Sequence, residues 1–153
     1  MPPILASKTL GIVSISSCNI SASSWRVRSG ILPLKEINII GQKFKKLLSE
    51  QKSQGASIAA YGAPTKATTL CYHFGIGPEF IDFIVDDNPL KQGMLSPGKH
   101  IPVLSSEQIY EQKPDFVVIL AWNFAESIIS NHKKYLMEGG KFILPMPEPQ
   151  IVI

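Results

Sequence analysis

A run of six consecutive apolar residues, Phe-Val-Val-Ile-Leu-Ala at residues 116–121, most narrows the folds open to this chain. A strand without polar positions must be covered on both faces, which is the situation of a strand inside a parallel sheet flanked by helices. Shorter apolar runs at 57–61, 80–85, 101–104 and 142–145 alternate with helical patterns. That alternation implies right-handed crossovers and an α/β architecture.

The predicted fold is therefore a Rossmann-like, doubly wound, mostly parallel sheet in a single domain with an N-terminal leader and helix. The apolar residues between 37 and 48 form one stripe of a helix that Gly55 ends. A second helix begins at Pro64 or Thr65, where proline fits the first turn. This second helix is expected to end at about residue 74. Further helices are expected over 106–112 and 124–137, and the run at 142–145 is predicted to be the last strand.

The leader is expected over residues 1–34 and the domain over 35–153. The first 30 residues are rich in serine and contain no acid, since the first acidic residue is Glu36. That composition resembles a transit peptide, although an imperfect leader to the domain is the favoured interpretation. Residues 10–15 could add a short strand, and residues 16–24 read as a loop.

Composition narrows the class of protein. Hydrophobic residues make up 44% and charged residues 18%, with a net charge of +3, and no run of five basic residues occurs. We expect no nucleic-acid partner and no membrane span. Cys18 and Cys71 lack the spacing of a metal site, so we expect free thiols, no metal and a cytoplasmic location.

Ligands of an open parallel sheet bind beyond the carboxyl ends of its strands. The best candidate place is the turn after the run at 57–61, because Gly62 permits close approach and the following helix start offers N–H groups to an anion. Its candidate ligand-binding residues are Tyr61, Gly62, Ala63, Pro64, Thr65, Lys66, Thr68 and Thr69. The spacing matches neither G-x-G-x-x-G nor a P-loop, and a plain tight turn with a surface lysine is an equal alternative.

Other strand ends and loops supply further candidates, namely Asp86, Asn88, His100, Trp122 and Asn123. An acid at Asp86 could bond ribose hydroxyls, or it could cap a loop. Trp122 could stack on a base or cover the core, and a lone loop histidine such as His100 is more often structural. The sequence nominates no catalytic residue, because no G-x-S-x-G elbow is present.

Five blocks of sequence carry a family resemblance: YGAPTKATTL at 61–70, VDDNPLKQG at 85–93, PGKHIPV at 97–103, LAWNFA at 120–125 and PMPEP at 145–149. In this order they resemble the C-terminal domain of the S-adenosylmethionine-dependent sugar C-methyltransferases, over about three quarters of the chain. Such enzymes methylate nucleotide-linked keto-deoxysugars. They combine a zinc-binding region, a methyl-donor domain and this Rossmann-like domain.

The resemblance implies contact with a dTDP-type nucleotide-sugar, with the diphosphate near Lys66. Only the third module is recognisable, since the zinc cysteines and the acidic-x-Gly-x-Gly methyl-donor loop are absent. The family's His-Gly-Gly-Ser segment is also missing, and Cys18 to Arg28 in its place offers no base. Methylation next to a keto group requires a positioned base.

The resemblance thus predicts a nucleotide-sugar-binding module that is inactive alone. S-adenosylmethionine is expected only with a partner methyltransferase domain or subunit, and the domain alone is expected to bind no cofactor. A homodimer is a further possibility. Two alternatives stay open: an interaction domain with an unused pocket, and a small self-sufficient transferase or reductase.

Overall fold

The computed structural model describes residues 12–13 and 34–153. The predictions for the remaining leader, including the loop at 16–24, the transit-peptide interpretation and Cys18, lie outside the described residues. Strand β1 (Ile12–Val13) falls within the strand considered over 10–15.

A mixed sheet of seven strands forms the centre of the domain, in the order β1-β7-β6-β5-β2-β3-β4. The five strands from β2 to β6 are parallel to one another, β7 is antiparallel to β6, and β1 pairs in parallel with β7. The predicted mostly parallel α/β fold is confirmed. After β1 the strands are β2 (Ile58–Tyr61), β3 (Phe83–Val85), β4 (Val103–Leu104), β5 (Phe116–Ile119), β6 (Lys141–Leu144) and β7 (Gln150–Val152).

Helices cover both faces of this sheet, which explains the uninterrupted apolar runs. Helices α1 (Leu34–Ser53) and α2 (Thr65–Phe74) pack on one face, where Ala60 and Val118 belong to the core. The opposite face, with Ala59 and Val117, is covered by α3 (Gln108–Gln112), α4 (Ala125–Asn131) and α5 (Lys133–Met137). Every residue of β5 is buried, as a strand between two helical layers must be.

The predicted stripe of α1 is confirmed, since Phe44, Leu47 and Leu48 are fully buried. Gly41 of the same helix lies directly against the ring of Phe74, which leaves no room for a side chain. Gly55 follows the helix with φ of 82°, as expected of a glycine that ends a helix. Burial of these residues against α2 stabilises the helix more than its own propensity does.

Three sequence predictions about elements were wrong. The single helix expected over 124–137 is a 3-10 turn (Trp122–Phe124) followed by α4 and α5, which are separated at His132 with φ of −112°. The strand expected over 80–85 begins only at Phe83, because Phe80 and Ile81 donate backbone hydrogen bonds to the carbonyl of Gly77 in a turn. The run at 142–145 is not the last strand, since β7 returns antiparallel beside β6.

Candidate functional site

The structure contains a topological switch point between β2 and β5. These strands are neighbours in the sheet, yet the chain leaves β2 towards β3 on one side and leaves β5 towards β6 on the other. The two departing turns therefore diverge and leave a crevice at the carboxyl edge of the sheet, where open α/β sheets bind ligands. Residues 64–66 line one side of this crevice and residues 120–124 the other.

The two turns touch at the base of the crevice. Gly62 has φ of 89°, and a Cβ atom added there would lie 2.8 Å from the Cβ of Ala121. The backbone N–H of Leu120 donates to the carbonyl of Tyr61 at 3.0 Å, which ties the end of β5 to the end of β2. Gly62 thus allows the ends of β2 and β5 to pack closely together. The sequence had suggested a glycine here only for the close approach of a ligand.

Two adjoining cavities form the crevice. The first has a volume of about 290 Å³ and is lined by Pro64, Thr65, Lys66, Leu120, Ala121, Trp122, Asn123 and Phe124. The second has a volume of about 440 Å³ and is lined by Ile37, Lys66, Thr69, Leu70, His73, Phe74, Trp122 and Met146. Lys66 and Trp122 line both, so the two cavities are compartments of one cleft that meet at these side chains.

The start of α2 makes the cleft electropositive where its two compartments meet. Pro64 occupies the N-cap position with an extended backbone, makes no side-chain cap, and no acidic residue lies in the first turn. The first N–H groups of a helix carry a partial positive charge that an anion can neutralise. Lys66 is exposed beside them and adds a full positive charge. This arrangement can bind a phosphate-bearing ligand.

The buried side chain of Asp86 stabilises the turns next to the end of β3. Its Oδ2 atom accepts hydrogen bonds from the N–H of Ala63 at 2.8 Å and from Nζ of Lys91 at 3.1 Å, and its Oδ1 accepts from the N–H of Asn88 at 2.9 Å. Burial raises the pKa of Asp86, but these hydrogen bonds outweigh it and hold the pKa below its usual value. Both oxygens therefore support the turn instead of facing an open ribose position.

A chain of four polar side chains lies on the face covered by α3, α4 and α5. The hydroxyl of Tyr61 donates to Oδ2 of Asp87 at 2.6 Å, and Nε2 of His132 lies 3.2 Å from the same hydroxyl. Nδ1 of His132 lies 2.7 Å from the hydroxyl of Tyr110. Because the proton of Tyr61 is used on Asp87, the pattern assigns the imidazole proton to Nε2 and makes Nδ1 the acceptor.

This assignment describes a neutral imidazole, which fits the environment of His132. Burial lowers the pKa of His132, and the nearby charge of Asp87 opposes that effect only in part. Burial also raises the pKa of Tyr61, so its hydroxyl keeps its proton. The network joins the end of β2 to the break between α4 and α5, and it faces away from the compartment lined by α1 and α2.

The structure brings six of the sequence candidates together in the cleft, namely Pro64, Thr65, Lys66, Thr69, Trp122 and Asn123. Gly62 lies at its base, whereas Tyr61, Ala63, Asp86 and Asn88 build the supporting turns. Thr68 lines a small separate cavity beside Cys71, which is a buried free thiol. His100 is exposed with φ of 54° and lines neither compartment. A ligand role stays a prediction for all thirteen candidates.

Sequence reasoning missed Phe124, Ile37 and His73 as lining residues. Phe124 is 67% exposed and gave a local signal, as an aromatic residue just after a strand end. Tyr110 and His132 were missed as a pair because they are far apart in sequence. Within residues 12–13 and 34–153 no group of three potential metal ligands occurs, and no helix there is long and apolar enough to cross a bilayer.

Comparison with known proteins finds a matching family and similar proteins. The family described as the C-methyltransferase C-terminal domain matches residues 34–147. The C-methyltransferase NovU of Streptomyces niveus is 42% identical over 110 residues, which cover 72% of this chain and 26% of that protein. The chain thus spans about a quarter of that relative's length. A UDP-D-quinovosamine 4-dehydrogenase from Vibrio fischeri covers 61% of this chain and 79% of its own, with a TM-score of 0.43 and 17% identity.

Proposed function

The chain belongs to the C-methyltransferase C-terminal domain family, and we propose that it is the nucleotide-sugar-binding module of a sugar C-methyltransferase that uses S-adenosylmethionine. The observation that carries the proposal is Lys66 beside the uncapped start of α2, where the two compartments of the cleft meet. A nucleotide-sugar has its diphosphate between two bulky ends. A cleft with its positive charge in the middle matches that distribution.

The domain contributes binding and orientation, and the chemistry belongs to a methyltransferase domain or subunit. Asp86 is the acid in the position where a Rossmann domain holds a ribose, and its two oxygens are already engaged by Ala63, Lys91 and Asn88. This engagement supports the proposal that the adenosine part of S-adenosylmethionine is bound elsewhere. We propose that the methyl donor and the base act from the partner, in the cytoplasm, and that this domain alone is inactive.

Isothermal calorimetry and thermal shift with dTDP, a dTDP-hexose and S-adenosylmethionine test this function. A ligand that binds only the folded state raises its stability by mass action. We expect both dTDP compounds to stabilise the protein, S-adenosylmethionine to have no effect, and no methyl transfer to occur without a partner. Lys66→Ala should abolish most of the dTDP effect, because it removes the charge shared by both compartments.

Lys133→Ala is the matched control, since Lys133 is an exposed lysine in the first turn of another helix. It should bind dTDP as the wild type does. If Lys66→Ala and Lys133→Ala lose dTDP binding equally, the effect comes from the net charge of the protein and not from the cleft. If dTDP does not bind the folded wild type at millimolar concentration, the proposal is refuted. Stabilisation by S-adenosylmethionine would instead favour a self-sufficient transferase.

An interaction domain is the second candidate, and one surface favours it. Leu90, Met94 and Leu95 are between 58% and 80% exposed on the segment that precedes β4. Met94 accepts a backbone hydrogen bond from Val103, so this apolar segment lies along the β4 side of the sheet. If the surface serves association, sedimentation should detect a dimer that Leu95→Lys dissociates while dTDP binding is unchanged.

A further inference from the structure

Both compartments of the cleft are lined mostly by apolar side chains, but they offer a ligand different groups. The first contains the polar side chains of Thr65 and Asn123 and the exposed ring of Phe124. The second is the more apolar of the two, since Ile37, Leu70 and Met146 line it beside Thr69 and His73. A ligand whose diphosphate lies at Lys66 must direct one end into each compartment.

Phe124 is the most exposed of the phenylalanine and tryptophan rings that line the cleft. Trp122 is partly buried against the core beside α1 and α2, so part of its surface is already covered. Phe124 follows it on the 3-10 turn, is 67% exposed, and lines the first compartment. An aromatic face in a partly enclosed cavity suits a planar nucleobase, since stacking is available to every base. The adjacent amide of Asn123 has both a donor and an acceptor for a base edge.

The end of β3, where Asp86 and Asp87 lie, offers no comparable place for a nucleoside. In a Rossmann dinucleotide site the nucleoside lies near the acid after the second strand. Here Asp86 is engaged by three donors, Asp87 accepts the hydroxyl of Tyr61, and Lys91 also donates to the carbonyl of Ala63 at 3.1 Å. Lys91 thus bridges the turn that a nucleoside would have to pass.

We propose that Phe124 and Asn123 form the nucleobase subsite, so that the nucleoside lies on the β5 side of Lys66 and the hexose in the apolar compartment beside α1. This inference rests on the proposed function, and it fixes the direction of the ligand in the cleft. A hexose in the second compartment contacts Ile37, Leu70 and Met146, whose apolar surface favours sugars that lack hydroxyl groups.

Two measurements test the direction. In calorimetry, Phe124→Leu keeps an apolar side chain but removes the aromatic face, and should weaken dTDP binding about tenfold while leaving inorganic pyrophosphate binding unchanged. Tyr72→Leu, which replaces a 72% exposed aromatic residue outside both compartments, should leave both unchanged. In NMR with methyl-labelled methionine, the methyl group of Met146, which lines only the second compartment, should show nuclear Overhauser effects to the hexose and not to the base.

The outcomes separate this inference from the proposed function. If dTDP binds in a Lys66-dependent manner but Phe124→Leu retains wild-type affinity, the nucleotide-binding function stands and the subsite is refuted. Nuclear Overhauser effects from the Met146 methyl group to the base instead of the hexose would reverse the direction and refute it too. If neither dTDP nor dTDP-hexose binds the folded wild type, both proposals fall together. Because Phe124 is exposed, the melting temperature of Phe124→Leu should stay close to that of the wild type.

Discussion

Gly62→Ala should destabilise the domain through two separable costs. At φ of 89° an alanine enters a region that non-glycine residues disfavour by about 1–2 kcal/mol. Its Cβ atom would also lie 2.8 Å from the Cβ of Ala121, and overpacking of this kind costs about 1–3 kcal/mol. We therefore expect a loss of about 2–5 kcal/mol in the free energy of unfolding, measured by urea denaturation.

Gly93→Ala isolates the first cost. Gly93 has φ of 81°, close to that of Gly62, but a Cβ atom there would have no heavy atom within 4 Å. The effect of alanine on the unfolded chain is shared by the two variants and cancels in their difference. The excess loss in Gly62→Ala over Gly93→Ala therefore measures the contact between the two turns of the crevice.

Ala121→Gly should rescue Gly62→Ala, because it removes the atom that the new Cβ meets. A double-mutant cycle should give a favourable interaction of about 1–2 kcal/mol between the two substitutions. Equal losses for Gly62→Ala and Gly93→Ala, or a double variant no more stable than the additive sum, would refute the claim that the strand ends touch at this glycine.

Three further predictions concern Asp86, His132 and Cys71. Asp86→Ala leaves the N–H groups of Ala63 and Asn88 without their carboxylate acceptor and should cost about 2–3 kcal/mol in urea denaturation, whereas exposed Glu79→Ala should cost little; equal effects would contradict the supporting role of Asp86. Because burial lowers the pKa of His132, the unfolded chain binds the proton more readily, so stability should fall as pH drops through about 6.5. Melting temperatures at pH 7.5 and 5.5 should differ less in His132→Gln than in the wild type, and equal differences would refute the neutral assignment. Burial raises the pKa of Cys71 to about 11, so in a Cys18→Ser background a thiol reagent at pH 8 should label it far more slowly in the native protein than in urea; equal rates would contradict its burial.

The sheet was predictable where each strand's own residues decide its structure. The runs at 57–61 and 116–121 are apolar because helices cover both faces, and they became β2 and β5 as expected. The break at His132 was not predictable, since its imidazole bonds to Tyr61 and Tyr110, which are 71 and 22 residues away. Strand β7 was missed because its pairing with β6 is tertiary and three prolines precede it.

The order of strands and helices along the chain predicted part of the candidate site. Strand ends predicted the crevice, and residues 64–66 and Trp122 do line it. The engagement of Asp86 could not be predicted, because its partners Ala63 and Lys91 come from different turns. Sequence alone treats an acid after a strand as open to a ligand, and only the packed turn shows that its oxygens are occupied.

The antiparallel return of β7 has a practical consequence for biophysical work on this domain. Ile37, near the start of α1, lies with Met146 at the rim of the cleft, whereas β7 runs back along β6 and carries the chain to the opposite edge of the sheet. An affinity tag, fluorophore or biosensor surface attached after Ile153 therefore sits at the far end from the ligand. Immobilisation through that end should leave the mouth of the cleft open to both small molecules and a protein partner.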